Sequence, residues 1–273
     1  MCQFKGAKVK IMRKIYLENI DLDELEEIGG VSHKESTLFY NKNTIYKLFD
    51  DLTDSERRRK ETKVELLGDG SILPITVMPK DKLVYGFLND RFEGYSMDYI
   101  SDATTLLKAF TENKKMYLFL YIINIVSQAI EKIHKDSRNI VISDLHAKNI
   151  ILDKNMNPYI VDIESAKIDG IKNDTIALSL HNYLLNRNLY TNIETTPNTD
   201  RLCLLMMALN IIFRKHIDKI SQYEYDEKAE QIATLKNMRE LVLEIQKSST
   251  IPEVPYIHEL IQYSDIFKRS LIK

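Results

Sequence analysis

The sequence predicts an α+β fold of two lobes, a small β-rich N-terminal lobe and a larger helical C-terminal lobe. Three observations carry that expectation. The N-terminal third holds short β-type segments around one charged helical stretch, with turn residues between them. Beyond about residue 100 the apolar spacing becomes helical. Between the first two of those helices lies a strand pair, Asn149-Ile-Ile-Leu152 and Tyr159-Ile-Val-Asp-Ile163, joined by a turn with Asn155, Asn157 and Pro158. The expected boundaries are a basic tail over 1–14, the small lobe over 15–98 and the large lobe over 99–273.

The elements follow in chain order. The tail carries Lys5, Lys8, Lys10, Arg13 and Lys14 without a long apolar core, so it reads as a disordered basic start rather than a secretory signal. Met12 offers a second start for translation. Glu26-Glu27-Ile28 leads into Gly29-Gly30. Thr37 to Tyr40 and Thr44 to Phe49 flank Asn41-Lys42-Asn43, a hairpin signal. A charged helix is expected from about Thr53 to Leu67, capped by Thr53 or Asp54 and ended at Gly68 or Gly70. Leu83 to Leu88 and Tyr95 to Tyr99 are strand candidates. Lys115 to His134 has a strong apolar face. Its stretch Met116 to Ile130 is the best membrane candidate, but it is short and contains Asn124, Ser127 and Gln128, so a buried helix is expected. Leu202 to Phe213 is apolar on nearly every side and should be buried all round. Glu227 to Gln246 and Tyr256 to Leu271 read as amphipathic helices.

A chain of 273 residues suffices for one large domain or two lobes sharing a cleft. Its 44% hydrophobic and 29% charged residues fit a soluble globular protein. The formal net charge of -2 supplies no bulk attraction for nucleic acid or an anionic membrane. Cys2 and Cys203 cannot make a disulfide framework, which fits a reducing, cytoplasmic setting. Cys203 lies in an apolar run and reads as an inert buried thiol.

The residues that carry chemistry lie around the strand pair. Asp144 and Asn149 occupy the polar stretch before one strand, and Asp162 ends its partner. The hairpin should bring the three together. Two carboxylates and an amide oxygen form a hard-oxygen set suited to Mg²⁺, which also takes substrate phosphates. Each residue alone is more often a turn or cap. Asp162 stands out because it follows Ile160-Val161 and precedes Ile163, where an uncompensated carboxylate is costly.

The run from His134 to Leu152, with Ile142-Ser-Asp-Leu-His-Ala-Lys-Asn149 at its centre, resembles the catalytic loop of the protein-kinase superfamily, His-Arg-Asp-Leu-x-x-x-Asn before a hydrophobic strand. The similarity spans roughly residues 20 to 270. It implies the two-lobed protein-kinase-like fold. It implies Asp144 as the residue that orients or deprotonates an acceptor hydroxyl, and Asn149 and Asp162 as the Mg²⁺ ligands. Lys47, in Ile45-Tyr-Lys-Leu-Phe49, would contact the α- and β-phosphates of ATP. Taken alone it reads as a strand lysine on a solvent face. Glu61 would pair with Lys47, with Glu65 one turn on as the alternative. Gly29, Gly30 and Ser32 occupy the place of the phosphate-covering glycine loop. The Met97-Asp-Tyr-Ile100 stretch resembles the hinge, with adenine on the backbones of Asp98 and Ile100 and Met97 behind it. Asp200 matches the aspartate that supports the catalytic loop, and a simple helix cap is its other reading. Residues 162–197 would be the activation segment.

The pattern also departs from that family. Ser143 replaces Arg, and Ile142 replaces His. His146 and Ile163-Glu164 resemble aminoglycoside and choline phosphotransferases and atypical bacterial kinases. Glu164 reads equally as a metal-site carboxylate or a surface residue. Thr196-Pro197 is the nearest remnant of an Ala-Pro-Glu sequence. The expectation is an ATP- and Mg²⁺-dependent transfer of the γ-phosphoryl group to a hydroxyl, with a protein Ser/Thr favoured as acceptor. A small-molecule acceptor and an ATP-binding pseudokinase scaffold are the alternatives.

Overall fold

The structure, a computed structural model, describes residues 12–21, 24–28, 35–68, 72–88, 90–112, 115–189 and 194–266. The chain is mixed α+β and divides into two units at Ser101/Asp102.

The first unit is built on a six-stranded sheet among the described residues. Its strands are β1 (Arg13–Tyr16), β2 (Glu26–Ile28), β3 (Ser36–Asn41), β4 (Thr44–Phe49), β5 (Pro79–Tyr85) and β6 (Arg91–Asp98), in the order β1-β5-β6-β4-β3-β2. All neighbours are antiparallel except β1 and β5. The expected β3–β4 hairpin forms with Lys42 and Asn43 both at positive φ, 47° and 68°, as a tight two-residue turn requires. Arg13 and Lys14, expected in a disordered tail, instead pair with Asp81 and Lys82 in the sheet. Met12 is buried, its Sδ seated against Gly68 where a Cβ would fall.

Helix α1 (Asp54–Leu67) packs on β5 and β6. Thr53, not Asp54, caps it. The Thr53 Oγ1 accepts from the Glu56 N–H, and the Glu56 carboxylate accepts from the Thr53 N–H, satisfying two end donors together. The N–H of Gly68 closes the last turn on Val64. Lys60, Lys63, Val64 and Leu67 form the buried face at i, i+3, i+4 and i+7.

The second unit contains a small sheet and a set of helices. The sheet pairs β7 (Thr104–Thr105), β8 (Ile150–Leu152) and β9 (Pro158–Ile160) in that order. The helices are α2 (Leu106–Glu112), α3 (Met116–His134), α4 (Leu178–Leu185), α5 (Pro197–Phe213), α6 (Gln222–Gln231) and α7 (Ala233–Lys247). Short α8 (Ile257–Leu260) and α9 (Tyr263–Ile266) follow. The single amphipathic helix expected over 227–246 is two helices that meet at Ile232, whose extended φ of -127° breaks the run.

Helix α3 is long and apolar enough by length and composition to cross a membrane. Its Phe119, Ile122, Ile123, Val126 and Ile130 are buried inside the unit, where the helix packs against α5, α8 and α9. Helix α5 starts with Pro at its first position after the Thr196 cap and is buried on all sides from Leu202 to Leu209. Cys203 lies there, and its complete burial pushes its thiol pKa well up, so it is held as a neutral thiol.

Candidate functional site

The second unit holds the loop 141–149 between α3 and β8. The loop's shape is set by Asp200 in the first turns of α5. The Asp200 side chain is completely buried. Its Oδ2 accepts from the Ile142 N–H at 2.6 Å and its Oδ1 from the Ser143 N–H at 2.7 Å. His134 Nε2 lies 3.0 Å from Oδ2, and its Nδ1 lies 3.0 Å from the Tyr256 hydroxyl. A buried carboxylate requires such partners. Of the two readings of Asp200, loop support is what the geometry gives, and Thr196 is the cap.

This clamp holds Ser143 at φ 64°, in the left-handed region that non-glycine residues seldom adopt. The Asp144 N–H then reaches the Ile142 carbonyl at 2.7 Å, which reverses the chain there. Asp144 keeps 20% of its side chain exposed. Its Oδ1 lies 3.5 Å from His146 Nε2, and its Oδ2 accepts from the Thr175 hydroxyl at 3.0 Å.

Asn149 donates from Nδ2 to the Asp144 carbonyl at 3.2 Å, which fixes the amide with Oδ1 as the atom left to accept or ligate. The β8–β9 register pairs Ile150 with Ile160, and the Val161 N–H continues it to the Asn149 carbonyl at 3.0 Å. Asp162 follows Val161 in the chain, directly after this pairing. Its φ of 60° ends the strand alternation and opens a short 3-10 turn over Ile163–Ser165. Glu164 is 1% exposed, so the surface reading of that residue is corrected. Burial of a carboxylate at this place puts a second acidic group in the turn after Asp162.

The expected magnesium pair is one amide and one carboxylate. Among the described residues no group of three or more His, Cys, Asp and Glu side chains is placed to hold a metal. The donor set nevertheless fits Mg²⁺. Both atoms are hard oxygens, and Mg²⁺ is ordinarily held by one or two carboxylates with waters and phosphate oxygens completing its shell.

In the first unit Lys47 is on the buried face of β4. Ile45, Lys47 and Phe49 alternate inward, and Lys47 is only 6% exposed, which overturns the solvent-face reading of this lysine. Its direct partner across the sheet is Tyr95, and the next across is Lys82. Direct partners share a face, so two lysines flank Tyr95 on the side that α1 covers. The α1 carboxylates bond to Lys82. Its Nζ donates to Glu61 Oε1 at 2.8 Å and to Glu65 Oε1 at 2.5 Å. Glu61, expected as the partner of Lys47, is thus engaged by a lysine that sequence reasoning passed over. Nothing local marks Lys82, because a lysine in Lys80-Asp-Lys-Leu-Val84 reads as solvated.

At the expected hinge, Met97 is buried opposite Ile45 and Pro79. The Tyr99 N–H reaches the Asn43 carbonyl at 3.1 Å, and Asp98 sits opposite Thr44. By the alternation of an antiparallel ladder, the backbone groups of Asp98 turn away from β4. Its carboxylate accepts from Lys80 Nζ. Ile100 is half-buried. Gly29, Gly30 and Ser32 lie outside the described residues.

No family model matches the sequence, and no curated protein matches it.

Proposed function

We propose that the chain is a phosphotransferase with a two-lobed protein-kinase-like fold, moving the γ-phosphoryl group of ATP to a hydroxyl. One observation carries the reading. A loop locked by a buried carboxylate presents Asp144 partly exposed, with Asn149 bonded to its carbonyl and Asp162 next in the chain after Val161, whose N–H bonds the Asn149 carbonyl. Catalysis of phosphoryl transfer is mostly placement and electrostatics, so a rigid set of oxygen donors is what the chemistry needs.

Asp144 orients the acceptor hydroxyl and takes its proton. Asn149 and Asp162 hold Mg²⁺, which when bound offsets the negative charge of the phosphates. Lys47 adds a positive charge for the α- and β-phosphates, and the backbones of Asp98 and Ile100 receive adenine. A protein Ser/Thr is the favoured acceptor. His146 near Asp144, and the buried Glu164 after Asp162, favour a small-molecule alcohol as the second reading.

Incubation with labelled ATP and Mg²⁺, followed by separation of protein-bound from small-molecule label, decides between the acceptors. Asp144→Asn is expected to bind ATP normally and to lose turnover by about a hundredfold or more. Full Mg²⁺-dependent transfer by Asp162→Asn would falsify the metal assignment. Absence of any thermal shift with ATP would leave only a scaffold role.

A further inference from the structure

One turn of α5 grips two parts of the chain. Asp200 holds the loop at Ile142 and Ser143. Its neighbours hold the C-terminal segment 252–258. Asn198 Nδ2 donates to the Pro252 carbonyl at 2.8 Å, and Asn198 Oδ1 accepts from the Val254 N–H at 2.8 Å. Arg201 donates to Glu253, and its guanidinium lies 5.1 Å from the centre of the Tyr256 ring. One face of α3 takes the rest of the segment. Ser127 Oγ accepts from the His258 N–H at 3.1 Å, and His258 Nε2 lies 3.4 Å from Glu131. The Tyr256 hydroxyl lies 3.0 Å from His134 Nδ1. Val254 and Ile257 are buried.

These contacts fix where the hydrogens lie. Asp200 is an acceptor, so His134 Nε2 carries the proton that faces it. In the neutral imidazole Nδ1 is then an acceptor, and the Tyr256 O–H donates to it. Burial raises the Tyr256 pKa, which keeps that hydroxyl protonated. The His134 side chain is 3% exposed, so water does not replace the phenol. We infer that Tyr256 is a positioning residue for Asp144, and that docking of segment 252–258 regulates the loop through it. The inference rests on the phosphoryl-transfer reading above. With the segment docked, His134 is held as a donor to Asp200, Asp200 keeps both loop N–H groups, and Asp144 stays in place. With Tyr256 withdrawn, Nδ1 has no donor and the ring is free to turn. Asp200 then loosens its hold on Ile142, whose N–H shares Oδ2 with the imidazole.

Tyr256→Phe keeps the ring beside Arg201 and removes only the hydroxyl. In hydrogen exchange of the full chain without nucleotide, the Ile142 and Ser143 amides should exchange about tenfold faster, with the amides of α6 unchanged. Asn198→Ala, which leaves Tyr256 intact and releases the segment, should do the same. The double variant should go no further than the larger single effect, because both act by one route. In Mg²⁺-dependent ATP turnover, Tyr256→Phe should lower kcat about tenfold and leave the KM for ATP unchanged. Unchanged exchange at both amides overturns the inference. So does acceleration spread evenly over the second unit, which would mark a purely structural role. Faster loop exchange with unchanged kcat overturns it as well. Absence of turnover by the unaltered chain overturns the phosphotransferase reading, and exchange alone then decides whether the segment holds the loop.

Discussion

The two units hold their acidic groups in opposite ways. In the second, one carboxylate, Asp200, is completely buried and takes two backbone N–H bonds and an imidazole. In the first, two carboxylates, Glu61 and Glu65, share one buried ammonium and keep 30% and 47% of their side chains exposed. A buried acceptor of backbone donors has no substitute partner, because water cannot replace it. A half-exposed glutamate has water available, so its ion pair is easily exchanged. The comparison teaches that the Asp144 loop is built to be fixed, whereas the lysine contacts of α1 are built to be replaceable.

The largest test of that contrast is Asp200→Ala. It strands two buried N–H donors and the His134 ring, and we expect a loss of about 3–5 kcal/mol in a denaturant melt. A loss under about 1 kcal/mol would mean that the loop does not depend on this carboxylate.

Gly94→Ala comes next. A Cβ at Gly94 would lie 1.9 Å from the Lys47 carbonyl oxygen, on rigid backbone in the middle of the sheet. We expect a loss on the order of 2–3 kcal/mol from overpacking. Retention of wild-type stability would show that β4 and β6 separate easily, and that the first unit is softer than its register implies.

Lys82→Met should cost only about 1 kcal/mol, because its partners are partly exposed and screened. Burial alone would lower the Lys82 pKa, but the bonds to Glu61 and Glu65 outweigh it and raise it above 10.5. A raised folded value means that the contribution is fully present below 10.5 and is lost as pH rises through the folded value. The stability gap between wild type and Lys82→Met should therefore stay flat through neutral pH and close only in strong base. A gap that closes near neutrality would contradict the pairing.

The smallest effect is expected at Asp136, which lies between α3 and the loop. The Arg138 guanidinium bond holds the Asp136 carboxyl below its ordinary 3.8, against a partial opposing effect of burial. A depressed folded value gives stability that is present above 3.8 and lost as pH falls through the lower folded value. Asp136→Asn should cost on the order of 0.5 kcal/mol at neutral pH and nothing in strong acid. Acid melts of the two proteins would show it as converging curves.

Much of this was legible in the chain because it is local. The β3–β4 turn, the Thr53 cap and the long α3 follow from neighbouring residues. So does the β8–β9 hairpin, with the Val161 N–H bonded to the Asn149 carbonyl. Elements that depend on distant partners were not legible. Strand β1 has four residues and exists through its pairing with β5. Amphipathic spacing runs through Ile232 even though the backbone there does not stay helical. The spacing of Asp144, Asn149 and Asp162 around one hairpin is readable from the sequence, since a hairpin is a short-range device. Only the tertiary structure decided that Asp200 holds the loop from 57 residues away, that Lys82 takes the α1 glutamates, and that Thr175 meets Asp144. Those contacts join groups far apart in the chain, and burial and register settle them after the elements have formed.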